Sequence, residues 1–461
     1  MSTSYAMEIE SPRDGGTPRD ARPFEEMPSD KGLPFVGSLF KYVRDPIGWM
    51  TRVYEQCGPV SRIHFASMNV VWLLGPEANR LLFLDRDELF SSFGGYDPLI
   101  GEIFPRGLML RDFENHRTHR MVMQQAFRRE HLERYLELMS PVIRAGVQAW
   151  RRTPGEATTK LSFLPTMKSL ALDIATIVFM GDEPGRDADA VNRAFNDAVA
   201  GGGAIVRRAV PGLAYWKGLR GREFLLRYFG ERVAWKRRNP DDSLFSRLCT
   251  AESDEGKRFS DDEIVDHMIF LMMAAHDTTT LTVTNAVYHL AKNPEWQERL
   301  LVEARAVGEN PSYQDLLGAA DTDRVFKEVL RMKTPVPGLP RKTTRDAVIN
   351  GFHVPKGTIC LTHMHFTHHL PSIWKDPERF DPDRFGPGRE EHKAHKYAWA
   401  PFGGGAHMCI GLIFGELEAK MALLEIVRRY RLELPPNYTI SYSNFSLPAP
   451  RDGLPITLRA R

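Results

Sequence analysis

Cysteine is scarce: the chain has four in 461 residues, Cys57, Cys249, Cys360 and Cys409, with no paired spacing. That excludes a disulfide-stapled scaffold and favours a reducing compartment, so a cytoplasmic location is expected. Neither sign of charge dominates. With 61 Lys+Arg against 59 Asp+Glu, no global field favours nucleic acid or acidic lipid. The first 27 residues contain no apolar run fit for a signal peptide or membrane anchor. They are polar and rich in charge, Gly and Pro, and read as a mobile tail ahead of one domain over 28–461. There is no internal repeat. No Gly-x-Gly-x-x-Gly follows a strand pattern, which argues against a fused nucleotide-binding reductase.

What is present is ordinary globular composition, 42% hydrophobic and 26% charged, with helical periodicity dominating. A proline-rich stretch from Pro28 to Gly37 precedes a helix over about 45–56, which Gly58-Pro59 ends. Residues 60–74 read as a strand pair, and Pro76 opens a helix to about Asp85. Residues 91–110 form a long loop studded with Gly, Pro and apolar side chains, the composition of a cover over something. Helical patterning then runs from about 115 to 248 with Gly and Pro interruptions. From Ser260, whose Glu263 completes a capping box, one helix of about 32 residues runs to Asn293-Pro294. Its segment 269–275 is apolar all round, so it should cross the core. Short strands are expected at 347–349 and 358–363, and an irregular segment at 376–400. A final strand region should occupy 432–458.

Two stretches carry chemistry. The first is Phe402-Gly403-Gly404-Gly405-Ala406-His407-Met408-Cys409-Ile410-Gly411, a glycine-dense turn running into an apolar helix from about Ile410. Such a turn needs positive φ or the close approach of something flat. Cys409 lies where turn becomes helix. There backbone N–H groups and the helix dipole favour a thiolate, which suits an axial ligand to haem iron. The second is Ala274-Ala275-His276-Asp277-Thr278-Thr279 in the middle of the long helix. Thr278 can bond back to the carbonyl of Ala274, and Asp277 can pass protons inward from the exterior.

The pattern Phe-x-x-Gly-x-His-x-Cys-x-Gly resembles the haem-binding loop of the cytochrome P-450 family, soluble bacterial type, and the 274–279 segment resembles that family's oxygen-activation motif. Ala275 replaces the family's usual Gly. The resemblance covers about Pro28 to the C-terminus. It implies a mainly α fold with a small β region, a triangular prism with a long central helix and haem b between that helix and the Cys409 loop. It implies a monooxygenase using O2 and two electrons from a separate ferredoxin or flavodoxin with its reductase, and a monomer is expected.

By the same resemblance, Cys409 binds the iron. Ala274, Phe402 and Gly411 frame the haem, and His116, Arg120, Arg341 and His407 face its propionates. Glu328, Arg331 and Arg384 form a structural triad under the loop. Asp277 and Thr278 are the catalytic pair. The substrate pocket is expected from Phe93, Tyr96, Leu99, Phe270, Met273, Val336, Leu339 and Phe445. No charged residue stands among these eight, so a neutral, bulky apolar substrate such as a steroid or terpenoid is expected. Two other readings fit the same fold: a peroxide-driven fatty-acid peroxygenase or non-oxygenating isomerase, and a haem-thiolate sensor or carrier without turnover.

Overall fold

The computed structural model describes residues 7, 9–10, 21–30, 32–33, 36–65, 68–151, 157–182, 186–204, 206–443 and 447–461. Helices hold 57% of the chain, so the architecture is helix packed on helix, with small sheets at the margins. The axis is the helix Asp261–Lys292, roughly 48 Å long at about 1.5 Å per residue. Ser260 accepts from the Glu263 amide while the Glu263 side chain returns to the Ser260 backbone, and Asn293 closes the far end. Within the expected apolar segment 269–275, Ile269 to Met272 are buried and Met273, Ala274 and Ala275 half-buried, so the helix does cross the core. Against this helix pack Phe163–Ile174, Ala214–Arg238, Ala320–Met332 and Leu412–Arg429.

The main sheet has six strands in the order Ser29–Asp30, Val60–Phe65, Met68–Leu73, Ile359–Thr362, Leu339–Thr343 and Phe90–Ser91. Ile359 pairs with Val70 in parallel, and Leu361 with Pro340 in antiparallel register. This register seats Arg341 beside the segment that begins at Phe90. The strand Leu339–Thr343 is absent from the sequence expectation, because Pro340 argues against a strand. A second unexpected strand, Thr158–Ser162, pairs with Pro455–Ala460; the sequence had suggested helix there. Its five residues are too short to register against the surrounding helical period.

Two further expectations need correction. Part of the leader expected to be mobile packs on the fold. Met27 is 1% exposed, the Arg22 guanidinium lies 3.7 Å from the centre of the Phe352 ring, and Ile9–Glu10 pairs with the strand Ala347–Ile349. Residues 1–6, 8 and 11–20 of the leader lie outside the described residues. The expected loop over 91–110 contains a helix, Ser92–Ile100, and a 3-10 turn, Leu108–Leu110. Ser91 caps that helix by accepting from the Gly94 amide at 2.7 Å. Gly94 and Gly95 let it lie on the strand Leu339–Thr343: a Cβ on Gly95 would stand 2.5 Å from the Pro340 carbonyl oxygen.

Among the described residues, one stretch, Phe163–Met180, is long and apolar enough to cross a membrane. More than half of it is buried inside the fold, at 56%, which is the pattern of a core helix.

Candidate active site

The Cys409 loop is held before its helix begins. The Cys409 amide donates to the Phe402 carbonyl at 3.0 Å, and the helix starts at Leu412 with Gly411 as its N-cap, slightly later than the periodicity suggests. Gly403 and Gly405 take φ of 68° and 63°, the left-handed region that only glycine enters cheaply. A Cβ on Gly405 would stand 1.8 Å from the Phe83 carbonyl oxygen. Phe402 stacks on Phe326 and meets Trp399 edge-on. The loop is therefore pinned to three separate elements.

The Cys409 side chain opens to solvent, yet protein crowds it on the other sides and that burial pushes its thiol up. The Gly411 N–H and the Arg120 guanidinium act in the opposite direction without prevailing. Helix-terminal donors lower a thiol only where they outweigh its desolvation, and a coordinated metal completes the deprotonation.

Four basic side chains predicted to face the propionates do converge. The rings of His116 and His407 are 3.8 Å apart between centroids. Burial first, then Arg120 and Arg341, hold His116 at about 4. Burial, Arg341, His116 and Arg120 hold His407 at about 2. Among the described residues, neither Arg120 nor Arg341 makes an ion pair with a carboxylate: Arg341 donates to the Pro340 carbonyl and lies 5.9 Å from the Tyr96 ring. Two guanidiniums beside two neutral imidazoles can receive carboxylates. A glycine cradle, a thiol and this set of cations and donors fit haem, with its iron and two carboxylates.

On the central helix, Thr278 Oγ1 donates to the Ala274 carbonyl at 2.9 Å, the back-bond expected of a polar residue inside a buried helix. Asp277 pairs with Lys168 Nζ at 2.7 Å and with His276 Nδ1 at 3.2 Å. Burial would raise its carboxyl, but His276 and Lys168 outweigh it and hold the group at about 2. Lys168 escaped the sequence reading. Its signal was there, as the one cation in the apolar helix Phe163–Ile174. Next to the pair, Thr279 contacts Glu418, whose carboxyl burial pushes up to about 8.

Beneath the loop, Glu328 accepts from Arg331 Nε at 2.7 Å and Nη2 at 2.9 Å, and from Arg384 Nε at 3.1 Å. All three side chains are fully buried. The network reaches further than the sequence suggests, since Arg384 also bonds Glu391 at 2.6 Å and the Asp381 amide donates to Glu328 at 2.9 Å.

The expected pocket residues divide. Tyr96 and Phe270 are buried, at 8% and 7%, and Met273, Val336 and Leu339 are half-buried. Phe93 and Leu99 are more open, at 43% and 51% exposed, on the helix Ser92–Ile100, whose residues 92, 95 and 96 are buried. Phe445 lies outside the described residues.

The family model described as Cytochrome P450 matches residues 27–213 and 221–453. The chain belongs to the cytochrome P450 family. It is 44% identical over 440 residues to "Putative cytochrome P450 136" of Mycobacterium tuberculosis, covering 94% of this chain and 88% of that one. It is 29% identical over 418 residues to "Pentalenene oxygenase" of Streptomyces avermitilis, covering 88% and 91%. The solved structure "Retinoic acid bound cyanobacterial CYP120A1" superposes with a TM-score of 0.83 at 26% identity, covering 94% of this chain and 99% of that one. As a cytochrome P450 the protein is a haem-using monooxygenase, an oxidoreductase. Haem, when bound, supplies the iron centre at which O2 is reduced and one oxygen atom passes to substrate.

Proposed function

We propose that this cytochrome P450 hydroxylates a neutral, bulky isoprenoid. In this reading electrons come from a separate ferredoxin or flavodoxin and its reductase, and Asp277 and Thr278 manage the protons. The observation that carries the oxygenase part is the intact acid–threonine pair. Thr278 is held by its back-bond to Ala274, and Asp277 is kept ionised between a half-exposed Lys168 and the interior. A carboxylate so placed can take a proton from the solvent side and present it inward as its partner swings away. Thr278 then fixes the donor that meets the reacting oxygen. Cys409 anchors the haem from the opposite side, with Arg120, Arg341, His116 and His407 positioned as donors to its propionates.

The substrate part rests on the wall and on the relatives. Tyr96, Phe270, Met273, Val336 and Leu339 offer aromatic and thioether surface with no ionised side chain. The lid does carry a cation, Arg106, but it is committed to Asp266 at 2.7 Å, so the lid itself offers a fatty-acid carboxylate no unpaired cation among the described residues. Pentalenene and retinoic acid, the compounds in the names of two relatives, are both isoprenoid in skeleton; retinoic acid carries a carboxylate, so the relatives support the skeleton and the wall supports the neutrality. A low- to high-spin titration of the holoenzyme against terpenoids, steroids and long-chain acids tests this. Tighter responses to the neutral polycycles are expected, and preference for the acids would overturn the substrate class. Turnover with ferredoxin, its reductase and NADPH, compared with peroxide alone, tests the oxygenase part. Turnover on peroxide alone would favour a peroxygenase.

A further inference from the structure

The lid over 91–110 is tied to two other elements by polar contacts that the reaction does not use. Arg106, with its side chain 57% exposed, reaches Asp266 on the central helix at 2.7 Å, and the Asp266 side chain is 4% exposed. A second arginine, Arg222 of the helix Ala214–Arg238, approaches the other oxygen of that carboxylate at 3.8 Å. Burial pushes the Asp266 carboxyl up, against the pull of Arg106, Arg222 and Arg111. One helical turn on, Phe270 takes the backbone of Gly107 against its ring: a Cβ there would stand 2.4 Å from it. Residues 106 and 107 are thus gripped by an i, i+4 pair on the central helix, one member a charge and the other a ring.

The lid and the segment 204–238 also meet each other. The Tyr215 hydroxyl donates to Glu102, and Arg207 donates to the carbonyl of Pro98 at 2.8 Å and to that of Leu99. Both elements therefore converge on one buried carboxylate. An exposed ion pair would hold little. A buried carboxylate is different: losing either arginine leaves a desolvated charge behind, so both elements are bound to stay.

We propose that Asp266 is a positioning residue that latches the lid and the helix Ala214–Arg238 to the central helix, and that release of this latch sets how fast bulky ligands reach the cavity beneath. The proposal rests on the reading that this cavity is the substrate site, though not on the class of substrate. The test is stopped-flow binding to the holoenzyme of two probes, the bulky azole clotrimazole and carbon monoxide (to the reduced form). Wild type is compared with Arg106→Gln, Asp266→Asn and the control Arg117→Gln. The control breaks a 2.8 Å pair with Glu114 in which both side chains are more than 60% exposed.

Association and dissociation of clotrimazole should each accelerate at least about fivefold in Arg106→Gln and Asp266→Asn. Carbon monoxide binding, and both rates in the control, should stay unchanged. Unaltered clotrimazole rates in Arg106→Gln, a change at an exposed lid residue that leaves the central helix intact, would overturn the latch even if Asp266→Asn melted earlier. Equal acceleration in the control would overturn it too. Failure of clotrimazole to bind wild type at all would remove the cavity reading together with the latch, an outcome that the substrate titration alone cannot produce.

Discussion

Glu328 and Asp277 are both core carboxylates bound to cations, on opposite sides of the Cys409 loop, and they are built differently. Glu328 takes both its arginines and a backbone amide, with every side chain at 0% exposure. Asp277 has a half-exposed lysine, Lys168 at 40%, and a neighbouring histidine, and is itself 17% exposed. A buried carboxylate with every lone pair satisfied cannot change partners, and it fixes the geometry around it. One that shares a flexible lysine with solvent can. The first design suits the bracing of a ligand loop, the second a group that must exchange protons with water.

Breaking the closed network should give the largest effect. Glu328→Gln leaves the buried Arg331 guanidinium without its carboxylate and Arg384 with Glu391 alone, a loss on the order of 3–5 kcal/mol. The variant should purify with little haem and a lowered unfolding midpoint, checked by haem content per chain and thermal melting. Asp277→Asn should shift that balance: haem content kept and the melting midpoint lowered by less than in Glu328→Gln, with turnover down on the order of 10²-fold. Thr278→Ala should keep haem and consume reductant at a comparable rate, but release several times more peroxide per electron pair, read by coupling assays. Lys168→Met should be milder, with turnover falling severalfold, since water can partly replace an exposed ammonium.

The smallest effect is one of pH. Asp277 is depressed from 3.8 to about 2, so its contribution to stability is fully present above about 3.8 and is lost as the pH falls through about 2. The stability gap between wild type and Asp277→Asn, on the order of 2 kcal/mol by linkage, should be constant from pH 5 to 8. It should close only between about pH 4 and 2, as followed by denaturant unfolding at each pH. A gap that closes near neutrality would mean that Asp277 is not held by Lys168 and His276.

The parts legible in the sequence are those whose signal is local. The capping box at Ser260, the back-bond from Thr278 to Ala274 and the spacing within 402–411 depend on residues near one another in the chain. The Glu328–Arg331–Arg384 network was legible through the family pattern, and the fold followed from it. What escaped depends on distant partners. Lys168 lies 109 positions before Asp277, Glu391 joins the buried network from an irregular segment, and Asp266 gathers arginines from two other elements. The strand Leu339–Thr343 exists because its neighbours hold it, against what Pro340 alone suggests. The helix Ser92–Ile100 escaped because the glycines of 91–110 read as loop. Packed on a strand, the same glycines permit a helix.

The central claim is that Cys409 alone anchors the haem iron. The direct measurement is the absorption spectrum of the reduced carbon monoxide complex of Cys409→Ser, set beside Cys57→Ser and Cys249→Ser. The thiolate-type band should vanish in the first variant and persist in the other two, since a neutral hydroxyl cannot donate charge to iron as a thiolate does. Survival of that band in Cys409→Ser, with its loss in either of the others, would contradict the assignment on which the whole site is built.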